Sequence, residues 1–308
     1  MRTVFLGTTE LAAAVLERLV ASPHRPSLVV TRPDRPRGRG QRVQSPPVAD
    51  AARTLGLEVF QPEDVNAEAA IARISAARPE LLCMCAYGAL LGDELLSRWE
   101  ILNVHPSLLP RWRGAAPLER AIEAGDPLTG VSIMLTEREL DAGPLLLQRS
   151  EPILPDDDWG SLSARIARLA GELLVDALDL RPPPRPQPSY GITYASRVEK
   201  HERVLDPALG CERLARRVRA LNPHIGCHLQ IPGGGDLKVR AARAHPGSSA
   251  VDARPGELVA CRERLFLVAV DGLLELLRVQ PAGGRAMGAA EFLRGHGRSV
   301  RRVEAAVC

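Results

Sequence analysis

Asn103, His105 and Asp141 are the side chains of this 308-residue chain whose types and spacing suit acyl transfer. Asn103 and His105 close an apolar run that begins Ile101-Leu102, and prolines follow at 106 and 110, so a strand end opens there into a shaped loop. In open α/β sheets the ligand crevice lies outside such strand ends. An asparagine amide is a neutral donor, an imidazole can carry or hand over a proton, and a nearby carboxylate can fix the imidazole tautomer and hold its charge. An isolated Asn and His after a strand would serve equally well as a cap and a turn. Here the run continues as Pro106-Ser107-Leu108-Leu109-Pro110-Arg111-Trp112-Arg113-Gly114-Ala115-Ala116-Pro117, with Leu140-Asp141-Ala142-Gly143 further on. No turn needs that many specified positions.

The elements that must position these residues alternate. Strand patterns at Thr3 to Leu6, Leu28 to Thr31, Leu57 to Phe60, Glu80 to Ala86, Ile101 to Val104 and Val131 to Leu135 are separated by helical spacing at 11–20, 47–55, 67–74 and 117–123. A long amphipathic helix over 158–178 closes the half. This alternation predicts an α/β fold with a doubly wound, Rossmann-like, mainly parallel sheet. Arg181-Pro182-Pro183-Pro184-Arg185-Pro186-Gln187-Pro188 cannot continue the helix and reads as a polyproline-type connector. Beyond it, a short helix at 211–221 precedes five short strands with Gly-rich turns, the pattern of a small OB-like β-barrel. The expected division is a catalytic domain over 1–180, a Pro-rich linker over 181–205 and an OB-like domain over 206–308.

Composition narrows the function. No apolar run approaches the ~18 residues of a membrane span, and the first residues run straight into a strand without a signal-peptide layout, which predicts a cytoplasmic protein with no membrane partner. Six cysteines lack CxxC or Cys/His ligand spacing and are expected to be free thiols; no metal site is expected. The net charge of +3 is unevenly spread, with 19 basic against 12 acidic residues from position 186 onward. That excess suits a polyanionic partner or a solvated basic face. Thr31 to Arg42 holds five arginines in twelve residues and leaves a strand end, where phosphate contacts are credible. Gly7-Thr8-Thr9-Glu10 lacks dinucleotide or P-loop spacing, so Gly7 reads as a tight turn and Thr9 as an N-cap, with no nucleotide cofactor.

Phe5-Leu6-Gly7-Thr8, Pro33-Asp34-Arg35-Pro36, Ala86-Tyr87-Gly88, the stretch from Asn103 to Pro117, Leu140 to Gly143, Tyr194-Ala195 and Leu277 to Gly283 together resemble the folate-dependent formyltransferases. The Arg-rich loop and Gln280-Pro281-Ala282-Gly283 resemble the branch acting on methionyl-tRNA. The resemblance implies formyl transfer from 10-formyltetrahydrofolate, as co-substrate, to the α-amine of methionyl initiator tRNA in translation initiation. It implies Asn103, His105 and Asp141 as the catalytic set, and Ser107, Leu108, Leu109, Pro110, Tyr87 and Gly88 at the folate. Arg37, Arg39, Arg42, Lys200, Arg213, Arg216 and Arg217 are the candidates for tRNA, with no DNA partner and a monomer expected. Pro106 and Ala142 depart from common patterns of the family, and Ile225 stands where a second proline is expected. The nearest alternative is a sugar-nucleotide N-formyltransferase using the same donor.

Overall fold

The computed structural model describes residues 1–37, 42–231, 235–250, 252–297 and 300–303. They group into two compact units. The first comprises Met1–Pro117, Leu128–Pro152 and Ser163–Ala195; the second takes Leu118–Pro127, Ile153–Leu162 and the chain from Ser196 onward.

The first unit is built on a seven-stranded sheet. Strands β1 (Thr3–Gly7), β2 (Pro26–Val30), β3 (Val59–Phe60), β4 (Leu81–Cys85) and β5 (Ile101–His105) run parallel in the order β3-β2-β1-β4-β5. β6 (Leu128–Leu135) and β7 (Leu145–Pro152) extend the β5 edge antiparallel. Val4, Phe5 and Leu6 on the central strand are wholly buried, as a strand covered on both faces requires. Helices α1 (Glu10–Val20), α2 (Pro47–Thr54), α3 (Glu68–Ala76) and α4 (Asp93–Arg98) connect the strands, and α5 (Pro117–Ala124) and α6 (Trp159–Leu180) follow along the chain. Thr9 caps α1 as its position predicts, its hydroxyl accepting from Ala12 N. Two of the seven strands escape the sequence pattern or depart from the parallel run: β7 buries only Leu145 and Leu146 before turning polar, the composition of an edge strand.

The stretch 181–195 belongs to this unit. Arg185 and Leu145 exchange backbone hydrogen bonds of 2.8 Å, and Thr193, Tyr194 and Ala195 lie along Pro110 to Ala116. Tyr194 pairs in parallel register with Arg113, and Ala195 with Gly114.

The second unit holds a mostly antiparallel sheet. β8 (Cys227–Ile231), β9 (Gly235–Pro246), β10 (Leu258–Cys261), β11 (Arg264–Ala269) and β12 (Gly272–Pro281) order as β8-β9-β12-β11-β10, with Arg301–Arg302 parallel to β10. Leu214, Val218 and Leu221 of α7 (Cys211–Leu221) pack with Leu237, Val239, Leu274 and Leu276 of the sheet and with Phe292 of α8 (Ala289–His296). Neither the six-residue α4 nor the eight-residue α8 carries enough apolar period to be read from sequence.

Cys83, Cys85, Cys211 and Cys227 are free and buried, and burial pushes the Cys83 and Cys85 thiols up to about 12. Cys261 corrects the expectation of six free thiols: it is disulfide-bonded. Cys308 lies outside the described residues.

Candidate active site

Asn103 and His105 are two residues apart on β5, so the pleat turns both to one face. Asp141 is brought to them by a loop in which its backbone adopts φ +52°. All three side chains are buried. The Asp141 carboxylate accepts from the Gly114 amide at 2.8 Å and from the Asn103 amide at 3.3 Å, while His105 Nδ1 stands 3.6 Å from its Oδ2. His105 Nε2 is 2.9 Å from the Trp112 carbonyl. A carbonyl oxygen only accepts, so Nε2 carries the proton of that bond and Nδ1 is the ring nitrogen left to exchange one.

The surrounding loops explain much of the motif. A Cβ on Gly143 would lie 2.0 Å from the Leu135 carbonyl oxygen, which excludes any side chain beside Asp141. Gly114 has φ +120° and would put a Cβ 2.7 Å from the Ala195 carbonyl. The glycine therefore lets its own amide reach Asp141. Ser107 spends its hydroxyl on the Arg111 carbonyl at 2.6 Å. Ser132 of β6, paired in register with His105, donates to the Ser107 carbonyl at 2.6 Å and accepts from Leu109 N at 3.1 Å and Gln148 Nε2 at 2.8 Å. Ser107 and Leu109 are thus buried parts of the loop frame, and Leu108 and Pro110 are its half-exposed faces.

Two positioning groups were not legible as functional. Gln187, in the Pro-rich run, accepts from Arg113 Nε at 3.1 Å and from its NH2 at 2.8 Å, and donates to the Asp141 and Gly143 carbonyls at 2.8 and 2.9 Å. It is the side chain in that run able to donate and accept together, which is the signal that could have singled it out. Ser132 gave no signal; its role follows only from strand register.

Tyr87 and Gly88 line a cavity of about 410 Å³ at the ends of β1, β2 and β4, together with Thr8, Thr9, Arg32 and Arg35. Arg32 donates to the Gly88 carbonyl at 2.9 Å. Tyr87 itself packs into the core with Val65 and Leu95, and burial pushes its phenol up to about 12.

The candidate tRNA cations fall into different environments. Arg42 is exposed on a short hairpin whose partner strand contains Arg37, and Arg39 lies outside the described residues. Lys200 is exposed. On α7, Arg213 is half exposed, and Arg216 donates to the Glu123 carbonyl at 3.1 Å. Arg217 must be corrected. It is buried, with Nε 2.9 Å from Glu123 Oε1, so its charge is committed to a carboxylate within the unit and is not presented to a phosphate. Glu123 also meets Arg120, whose guanidinium binds Glu202 and holds that carboxyl down at about 2. Among the described residues no cluster of three or more His, Cys, Asp or Glu is arranged to hold a metal, and no helix is long and apolar enough to cross a membrane.

A parallel sheet carrying an Asn/His/Asp cluster, followed by an antiparallel unit, matches known proteins along the whole chain. Residues 1–178 match the formyl transferase family and residues 197–297 match the formyl transferase C-terminal domain; the chain belongs to the formyl transferase family. Its particular likeness is to methionyl-tRNA formyltransferases. That of Halorhodospira halophila is 45% identical over 301 residues, covering 96% of either chain, and that of Bordetella avium is 43% identical over 314 residues, covering 96% of this chain and 99% of the relative. Among solved structures, HypX from Aquifex aeolicus in complex with tetrahydrofolic acid aligns with a TM-score of 0.66 at 18% identity, over 98% of this chain and 48% of HypX. This chain spans about half the length of that protein. An N-formyltransferase from Helicobacter canadensis, in complex with folinic acid and dTDP-3-aminofucose, aligns with a TM-score of 0.65 at 14% identity over 90% of this chain and 98% of that one. At these identities the likeness is one of fold.

Proposed function

We propose that this chain transfers the formyl group of 10-formyltetrahydrofolate to the α-amine of methionyl-tRNA, the initiator of translation. The observation that carries this is the convergence of Asn103, His105 and Asp141 in a chain alike over its full length to methionyl-tRNA formyltransferases. The amine nitrogen attacks the formyl carbon, and the formyl oxygen gains charge. Asn103 has a second amide proton beyond the one given to Asp141, and His105, acting as the imidazolium beside the Asp141 carboxylate, carries a proton on Nδ1 as well as the Nε2 proton given to Trp112; these are the two donors for that oxygen. Asp141 holds the pair in place and takes up the amine proton, directly or through water. The bond from the carbon to the folate nitrogen then breaks, that nitrogen gains a proton, and the products are the formamide and tetrahydrofolate.

Leu108 and Pro110, with Ser107 and Leu109 as frame, are the contacts proposed for the folate, and Gly88 and Tyr87 are walls of the nearby cavity. For the tRNA, Arg37, Arg39, Arg42, Lys200, Arg213 and Arg216 remain the proposed cations. The second unit is proposed to be OB-like, and of the stretch 181–205 expected to be a linker, the part from Ser196 onward is proposed to lead into it. The proposed setting is a cytoplasmic monomer. The sugar-nucleotide alternative is less supported: the relatives at 40–45% identity act on methionyl-tRNA by name, whereas the amino-sugar enzyme shares the fold at 14%.

Single-turnover transfer from 10-formyltetrahydrofolate tests the assignment. Methionyl initiator tRNA should be formylated while free methionine and amino-sugar nucleotides are inert, and His105→Ala should abolish transfer without loss of fold. Transfer to an amino-sugar nucleotide with tRNA inert would overturn it.

A further inference from the structure

The chain has three tyrosines. Tyr87 is buried, but Tyr190 is 80% and Tyr194 67% exposed, among the barest large side chains of the protein. Both lie in 189–195, the segment whose backbone is bound to the catalytic motif: Thr193 N donates to the Pro110 carbonyl, Arg113 N to the Thr193 carbonyl at 2.9 Å, and Trp112 N to the Thr193 hydroxyl at 2.9 Å. Trp112, whose carbonyl receives His105 Nε2, is half exposed, and the Arg111 guanidinium lies 4.3 Å over its ring. One strand pairing therefore separates Tyr194 from the residues that hold His105 and Asp141.

The charge of these two paired segments is one-sided. No Asp or Glu occurs between Ile101 and Leu118 or between Arg181 and Val198, stretches that carry Arg111, Arg113, Arg181, Arg185 and Arg197. Arg113 is occupied by Gln187 and Glu139 and Arg181 by Glu100, whereas Arg185, in the same unit as the tyrosines, is exposed. Exposed aromatic rings on segments that carry arginines and no acidic residue of their own match the chemistry of single-stranded nucleic acid, in which every base offers a π face and every link a phosphate.

We propose that Tyr190 and Tyr194 form a stacking surface for the unpaired bases at the 3′ end of the acceptor tRNA. The inference rests on the tRNA reading above and adds to it. Stacking on rings fixed to the motif loop would bring the aminoacyl end toward His105 without any base-specific hydrogen bond, so the surface tolerates sequence and serves to position the amine.

The test uses the full-length protein with a methionylated CCA trinucleotide and with methionyl initiator tRNA as acceptors. Tyr190→Ala and Tyr194→Ala should each raise KM for both acceptors about ten-fold, and Tyr→Phe at the same positions should restore it to within about two-fold, since phenylalanine keeps the π face and loses only the hydroxyl. A CCA oligonucleotide carrying 2-aminopurine as its terminal base should be quenched by the wild-type protein, which needs no variant to fold. Unchanged KM in the alanine variants, or no quenching, would overturn the stacking surface. Failure of the wild-type protein to formylate methionyl-tRNA at all would instead overturn the function it rests on.

Discussion

Replacing Gln187 with alanine removes four hydrogen bonds at one stroke. Two come from Arg113, whose side chain is only 6% exposed, and two run to the carbonyls of Asp141 and Gly143. A hydrogen bond to a charged group contributes about 1.5–3 kcal/mol, and a buried donor left without an acceptor costs about the same. Arg113 would keep Glu139 at 3.2 Å, and the half-exposed site of Gln187 admits water, so the expected loss is nearer the lower end, about 2–4 kcal/mol in total. The effect on rate should be larger than that on folding. Gln187 anchors the loop that presents Asp141, and a misplacement of about 1 Å in such a group costs on the order of 100-fold in rate. Urea unfolding and single-turnover transfer measured on one preparation separate the two. Gln187→Glu makes the comparison sharper: it keeps an acceptor for Arg113 but loses both donors to the Asp141 loop, so stability should largely return while the rate stays low. A Gln187→Ala protein that transfers formyl within two-fold of wild type would refute the idea that this side chain sets the position of Asp141.

Glu123→Ala should destabilise the protein by about 3–5 kcal/mol in urea unfolding, because Arg217 would be left buried and unpaired, whereas Arg213→Ala, half exposed, should cost less than about 1 kcal/mol. Glu202 links stability to acid. The Arg120 hydrogen bond holds its folded carboxyl at about 2 against 4.5 unfolded, so its contribution is complete above pH 4.5 and fades as pH falls from 4.5 toward 2. Unfolding titrations of wild type and Glu202→Gln should diverge in that window and run parallel above it. Gly143→Ala drives a Cβ into the Leu135 carbonyl and should lower both thermal midpoint and transfer rate; an active, equally stable variant would disprove the steric role.

The layout of β1, β2, β4 and β5 is legible because buried parallel strands read as apolar runs and their helices carry a clean period, and antiparallel β6 is legible from the same burial. β7 is not, since its polar half sits at an edge where no burial selects alternation. The candidate catalytic triad is legible from residue types, but what fixes it is not: Ser132 meets the Ser107 loop through strand register, a relation with no local trace in sequence. Arg217 shows the converse failure. On α7 it is indistinguishable from Arg213 and Arg216 as a basic residue, and only the position of Glu123, 94 residues earlier, decides that it points inward. The proline run reads as a spacer because prolines cannot form helix, yet 181–195 makes β-type pairs and side-chain bonds that no composition rule anticipates.

The second unit draws on chain made long before its main body. Glu119 binds His224 at 2.9 Å, Glu123 neutralises Arg217, and Trp159 stacks on His224 with ring centroids 3.8 Å apart. During synthesis, residues 118–127 and 153–162 leave the ribosome before α7 and His224 exist, and Glu119, Glu123 and Trp159 must wait for those partners to emerge. A gene cut at Ser196 would yield a piece with a buried cation and no counter-ion, so this unit is not a cassette that recombination could pass intact to another protein.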